Sequence, residues 1–132
     1  MSQIQVQMID NTVSSDWWRK LVQHFVKVGN ELEIRCWKEE TAEIQQASLY
    51  GKPVSEKHEV SIKGTVTTKL LAELSADESV DRSVYNKMTK YFTINSKNGQ
   101  RKFSSAHYGT EMYIDEASED DTAFFSKIME QL

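Results

Sequence analysis

Between Tyr91 and Asp115 the chain alternates apolar and polar residues around two turn signals. Asn98-Gly99 is the preferred pair for a two-residue hairpin loop, because a type I′ turn needs φ > 0 at both central positions. With those residues as the loop, Ile94 faces Phe103 and Phe92 faces Ser105. Phe92, Ile94 and Phe103 then form an apolar face. Tyr91, Thr93, Asn95, Lys102 and Ser104 form a polar one, the pattern of a sheet with one side in water. Gly109 marks a second turn, after which Met112 and Ile114 alternate with Glu111, Tyr113 and Asp115 in a third strand.

The same reading extends along the rest of the chain. Ile4, Val6 and Met8 alternate with glutamines, which predicts a first strand. Ser14 or Ser15 caps a helix with Asp16 in its first turn, and Trp17, Leu21, Phe25 and Val28 mark its apolar face. At least one of Trp17 and Trp18 is expected in the core. Gly29 is the expected stop. Leu32, Ile34 and Cys36 alternate with charged residues in a second strand, which places Cys36 on the apolar face as a small hydrophobe. Residues 38–50 have helix-forming composition but sparse apolar positions and stay open between helix and strand. Gly51-Lys52-Pro53 reads as a turn. Residues 59–67 alternate as a strand, and Gly64 within it signals a bulge or a close backbone approach. Thr68 caps a short helix over 69–74, and residues 75–82 read as a mobile loop. Ser118 is an N-cap with Glu119, Asp120 and Asp121 in the first turn of a last helix, whose stripe is Phe124, Phe125, Ile128, Met129 and Leu132. The sum is one α+β domain over 1–132: a mainly antiparallel sheet of five or six strands, packed by an N-terminal and a C-terminal helix.

Composition narrows the classes. At 39% apolar and 27% charged the chain is globular rather than disordered. No window is apolar enough to span a membrane, and the first residues lack the pattern of a secretory leader, so a cytoplasmic protein is expected. A lone cysteine excludes an internal disulfide and a cysteine-built zinc site. No metal and no cofactor are expected.

The net charge of −4 is unevenly spread. Residues 82–110 hold six basic side chains and no acid, whereas residues 111–132 hold seven acids and only Lys127 as a base. Either the two blocks satisfy one another in the fold or they face different partners. Lys87, Lys90, Arg101 and Lys102, threaded with aromatics, are the candidate phosphate or nucleic-acid contacts. Asp115, Glu116, Glu119, Asp120 and Asp121, extended by Glu39 and Glu40, are the candidate docking surface for a basic protein, since carboxylates complement a cationic site and speed encounter.

No phosphate loop, nucleotide-binding glycine fingerprint, HExxH or GxSxG is present. His24 and His58 read as surface or boundary residues. His107 and Glu111, in SSAHYGTE, are the one candidate acid/base pair, on a turn rich in hydrogen-bonding side chains.

The segments LEIRCWKEE, YNKMTKYFTI and FSSAHYGTEMYI resemble a group of small uncharacterised bacterial proteins, mainly from Gram-positive organisms. In size and charge the chain is also similar to toxin-neutralising immunity proteins. That resemblance implies a cytoplasmic, non-catalytic interaction protein that inhibits a basic toxin or enzyme through an acidic surface. The alternatives are a phosphate or nucleic-acid binding module and a small enzyme centred on His107.

Overall fold

A computed structural model describes residues 2–8, 13–76 and 87–132. The first half of the chain contributes β1 (Ser2–Gln7), α1 (Asp16–Phe25), β2 (Glu31–Trp37), α2 (Thr41–Ala47), β3 (Gly51–Ser55) and β4 (Glu59–Thr65). Then come α3 (Thr68–Ser75), β5 (Thr93–Asn98), β6 (Arg101–Ala106), β7 (Glu111–Ala117) and α4 (Glu119–Glu130). The strands form a single antiparallel sheet of seven, in the order β1-β7-β6-β5-β2-β4-β3. The fold is α+β, with more strands than the five or six expected. The added strand is β3, read from Gly51-Lys52-Pro53 as a turn. Pro53 has no N–H to donate, which fits an edge strand, and β3 is mostly exposed.

One face of the sheet is the core. Ile34, Cys36, Ile62, Ile94, Met112 and Ile114 are almost fully buried there, together with both Trp17 and Trp18 of α1. The Trp18 indole donates to Ser105 Oγ at 3.0 Å, so the helix is pinned to the middle of the sheet. α2 meets β2 and β4, α4 meets β1 and β7, and α1 lies against α3 and α4. The helix over residues 38–50 therefore exists, although Ala47 is its only buried residue. α1 ends at Phe25, earlier than Gly29 implied; Val26 is extended and Val28 is 59% exposed, outside the apolar face. Gly29 serves the following turn, with φ 94°. Thr67 rather than Thr68 caps α3, accepting from Leu70 N at 3.1 Å. The loop expected at 75–82 falls largely on 77–86, outside the described residues.

The hairpin turn also shifts. Asn98 pairs with Arg101, so Gly99 and Gln100 form the loop, and Ile94 faces Ser105 rather than Phe103. Gly99 (φ 63°) is the loop residue with positive φ, as expected where glycine takes the first central position. The displacement moves each partner by two residues. Every side chain of β5 and β6 therefore keeps its face, and the hydrophobic pattern cannot tell the two registers apart; Tyr91, before β5, is buried rather than on the polar face. Phe92 falls before β5 and leaves the core face for the ring of Trp37.

The opposite face of the sheet is polar, and all four helices contribute to the core on the other side, so among the described residues no helix covers it. A row of side chains crosses it, strand by strand: Lys63, Glu33, Asn95, Ser104 and Tyr113. Their alternation with core residues is the same period-two pattern that built the core.

Candidate interaction surface

The open face is organised around β2. Glu33 accepts from Ser61 Oγ (2.5 Å), Asn95 Nδ2 (3.0 Å) and Arg35 Nη1 (2.9 Å), and Ser104 Oγ donates to Asn95 Oδ1 at 2.7 Å. Burial alone would raise the Glu33 carboxyl. The bonds from Ser61, Asn95 and Arg35 outweigh it and hold the group below the usual carboxylate range. Arg35 in turn bonds Glu33, Glu56 and Glu59, the last at 3.1 Å. Burial would lower its pKa, and the three carboxylates push it further up instead. Such half-exposed pairs contribute about 0–1 kcal/mol each to stability, so their main effect is to fix the carboxylates in place.

At the end of β2 this network meets an aromatic cluster. Trp37 is 36% exposed, stands opposite Glu59 in the ladder and packs on Phe92 at 4.8 Å between centroids. Phe92 in turn meets the edges of His107 (5.6 Å) and Tyr108 (5.3 Å). The Tyr108 hydroxyl donates to Glu40 Oε2 at 3.0 Å, and Glu40 Oε1 accepts from Trp37 N at 2.9 Å. Lys87 Nζ sits 4.2 Å over the Tyr108 ring.

The turn beneath the cluster is strained. His107 (φ 50°), Tyr108 (φ 59°) and Gly109 (φ 85°) are three consecutive residues in the left-handed region, at a cost of about 1 kcal/mol or more for each non-glycine. Backbone bonds hold them there. Tyr108 N donates to Phe92 O (3.0 Å), and Met88 N and Thr89 N both donate to Tyr108 O. A side chain at Gly109 would meet Met88 Cβ at 2.7 Å and Trp18 Nε1 at 2.8 Å. The strain turns His107 outward beside Glu111, with which it pairs. The His107 side chain is 61% exposed and that of Glu111 17%, so the imidazole faces solvent while the carboxylate is largely covered.

The expected acidic surface divides. Glu39 and Glu40 follow β2, at the Trp37 end of the strands. Asp115, Glu116, Glu119 and Asp120 lie at the other end, where β7 gives way to α4. Asp121 does not belong to any docking surface. It is 5% exposed and closes a capping box with Ser118, and its carboxylate binds His24 Nε2 (2.9 Å) and Arg101 Nη2 (2.5 Å). His24 is thus structural too, stacked on Phe124 at 4.1 Å. Asp115 accepts from Gln3. Glu116 (φ 59°) forms the bulge that returns Ala117 to the core.

The basic candidates do not form one track. Lys87 lies over Tyr108 and Lys90 pairs with Glu73 at 3.5 Å. Arg101 turns toward Asp121, and Lys102 stands at the far hairpin. Among the described residues the two charge blocks form an ion pair at Arg101–Asp121. Sequence reasoning passed over Trp37, Arg35, Glu56 and Glu59. Their signal was the strand alternation itself, which put Glu33, Arg35 and Trp37 together on the polar face.

Compared with protein families, curated proteins and solved structures, the chain shows no match. Among the described residues no helix is long and apolar enough to cross a membrane, and no three acidic, histidine or cysteine side chains cluster as metal ligands.

Asp121 supplies a pH-dependent test of the fold. Burial would raise its carboxyl; bonds from the Ser118 backbone, His24, Arg101 and the Ser118 hydroxyl together lower it from 3.8 to about 2. A depressed carboxylate adds stability that is complete above its unfolded pKa and lost as pH falls through the folded one, here about 2 kcal/mol. Asp121→Asn is expected to lose about that much at pH 7, with the gap to wild type shrinking between pH 4 and pH 2 in urea unfolding.

Proposed function

We propose that this chain is a non-catalytic interaction protein of the immunity or inhibitor type, which covers a basic protein partner with the Trp37 end of its open sheet face. The observation that carries the reading is an exposed tryptophan, seated on Phe92 and ringed by carboxylates that are already held by their neighbours. Partly exposed aromatic anchors supply much of the energy at protein interfaces. Fixed carboxylates around one add attraction and selectivity for a cationic face without an ordering cost on binding. Glu33, Glu39, Glu40, Glu56, Glu59 and Glu111 outnumber Arg35, Lys38, Lys57 and Lys87 in this corner. Asp115, Glu116, Glu119 and Asp120, at the far end, are left outside the contact.

The test is a pull-down from the cells that make the protein, followed by affinity measurement on the retained partner. Trp37→Ala is expected to weaken binding at least thirtyfold, the roughly 2 kcal/mol of an anchor residue. Glu56→Lys with Glu59→Lys should slow association and make it less sensitive to salt. Glu119→Lys with Asp120→Lys should bind as wild type does. A partner that is held equally by the Trp37 variant, or lost with Glu119 and Asp120 instead, sinks this assignment.

A further inference from the structure

The two margins of the sheet are β1 and β3. β3 is guarded against further pairing: Lys52 carries a charge, and Pro53 has no N–H to donate. β1 has neither device. Its six residues, SQIQVQ, hold no charge and no proline, in a chain that is 27% charged.

The outer side of β1 is also unpaired. Met8 N donates to Thr110 O at 2.7 Å, and Met8 continues the register in which Val6 faces Met112 and Ile4 faces Ile114. In an antiparallel ladder alternate residues turn their N–H and C=O groups to the same neighbour, so Ile4 and Val6 serve β7. Gln3, Gln5 and Gln7 turn theirs away from it, and among the described residues no other strand meets them.

α4 adds an apolar ledge along this margin. α1 is pinned over β6 by the Trp18–Ser105 bond, whereas α4 touches β7 and β1. α4 thus lies between α1 and the margin. Its inner flank meets α1, with Phe124 stacked on His24 and Gln131 bonded by Lys20. The opposite flank carries Phe125 and Met129, one turn apart and both only partly buried, with Leu132 55% exposed beyond the last turn.

Self-complementarity decides the occupant. A two-fold antiparallel pairing of β1 with β1 of a second copy, centred on Gln5, sets Gln5 against Gln5, Gln3 against Gln7 and Ile4 against Val6. The outward backbone groups are then the ones that bond. A glutamine amide both donates and accepts, so it is its own complement, whereas a charged residue on the axis would face a like charge. A strand from a different protein would need no such neutrality. With the two-fold axis perpendicular to the sheet, the same pairing sets the two α4 helices side by side above the joined strands, apolar flank to apolar flank.

We propose that β1 and α4 form the interface of a homodimer, in which two seven-stranded sheets join edge to edge. Three strands separate β1 from β2, so the Trp37 corner stays uncovered.

The experiment is sedimentation velocity of the full chain over a wide range of concentration, with amide hydrogen exchange followed at Gln5 and Gln7. The expected result is a mass that rises to that of two chains, with both amides protected at high concentration and exchanging freely on dilution. Gln5→Lys places two like charges on the axis and should weaken the dimer roughly tenfold or more, an effect that salt reduces. Gln5→Pro removes an outward N–H, a change that an edge strand tolerates, and should give single chains at concentrations where the wild type pairs. Gln3→Lys with Gln7→Glu sets opposite charges across the interface and should keep the dimer. Val54→Lys, on the other margin, leaves the mass unchanged. A single-chain mass at every concentration overturns the proposal. So does a dimer that survives Gln5→Lys and Gln5→Pro with the amides of Gln5 and Gln7 exchanging freely in the wild type.

Discussion

Replacing Glu73 by alanine is expected to cost about 3–4 kcal/mol and to lower the thermal midpoint by roughly 10 °C or more. Glu73 lies on α3 with a side chain 12% exposed, and both of its oxygens are fully used. Oε1 accepts from Gln46 Nε2 (2.5 Å) and Tyr50 Oη (2.6 Å); Oε2 accepts from Tyr91 Oη and pairs with Lys90 at 3.5 Å. One carboxylate thus ties α3 to α2, to the residue before β3 and to the segment that leads into β5. Alanine leaves the hydroxyl of Tyr91, a residue with no exposed surface, without its partner. Tyr91→Phe removes the hydroxyl instead of its acceptor and should cost less, about 1–2 kcal/mol.

The cluster also contributes stability that depends on pH at both the acid and the alkaline end. Burial would raise the Glu73 carboxyl, but the bonds from Tyr50, Tyr91, Gln46 and Lys90 hold it below its ordinary value. Its contribution is therefore present above the unfolded carboxylate value and is lost as pH falls through the folded one. Burial, followed by the bond to Glu73, pushes Tyr50 up to about 12. The stability gained from keeping that phenol neutral is complete below about pH 10 and disappears as pH rises through 12. Urea unfolding of wild type and Glu73→Ala at pH 7 is the direct measurement. A difference below about 1 kcal/mol would mean that the carboxylate holds nothing together.

Gly64→Ala is expected to detach the edge of the sheet, at a cost of about 3 kcal/mol. A Cβ at this position would come within 2.0 Å of Tyr50 O and 2.9 Å of Gly51 Cα, both backbone atoms that cannot rotate away. Gly64 pairs with Gly51, whose own Cβ would meet Lys63 O at 2.4 Å, so the two glycines let β3 and β4 close. The expected signature is loss of hydrogen-exchange protection across Gly51–Ser55, with β2 and β5 still protected. Gly29→Ala is the control. It has φ 94° but nothing within 4 Å, so it should cost only the strain of a left-handed alanine, about 1 kcal/mol. Full protection of β3 in Gly64→Ala would show that the strand can yield where the geometry says it cannot.

Much of this fold could be read from residue order because its strands have one wet face. Alternation located β1, β2, β4 and the three strands from Thr93 onward, and Ser118 with its acidic followers located α4. Local patterns missed what depends on pairing. Gly51–Ser55 carries two turn residues, and it becomes a strand only because Gly64 opposite leaves room for it. The hairpin register escaped because moving it by two residues changes no face. Asp121 looked like one more surface acid in a block of five between residues 115 and 121. Its place at the third helical position turns it back to Ser118, where His24 and Arg101, far away in sequence, converge on it. The candidate surface was half legible. Glu39 and Glu40 lie beside it, but Trp37 stood out only once Phe92 had left the core face to support it.

The strand order has a consequence for how the molecule is made. β2 lies between β5 and β4, and β1 pairs only with β7, with Gln5 opposite Tyr113. A growing chain can close the β3–β4 hairpin and add β2 to it early, but that sheet keeps one bare edge until β5 emerges. β1 waits longer still for β7. Loop-closure entropy makes such distant pairings slow, and an unpaired strand edge invites association with other chains in the interval. The protein is therefore expected to fold slowly for its size, with concentration-dependent losses that are larger for chains lacking the β5–β7 segment than for the full chain on refolding.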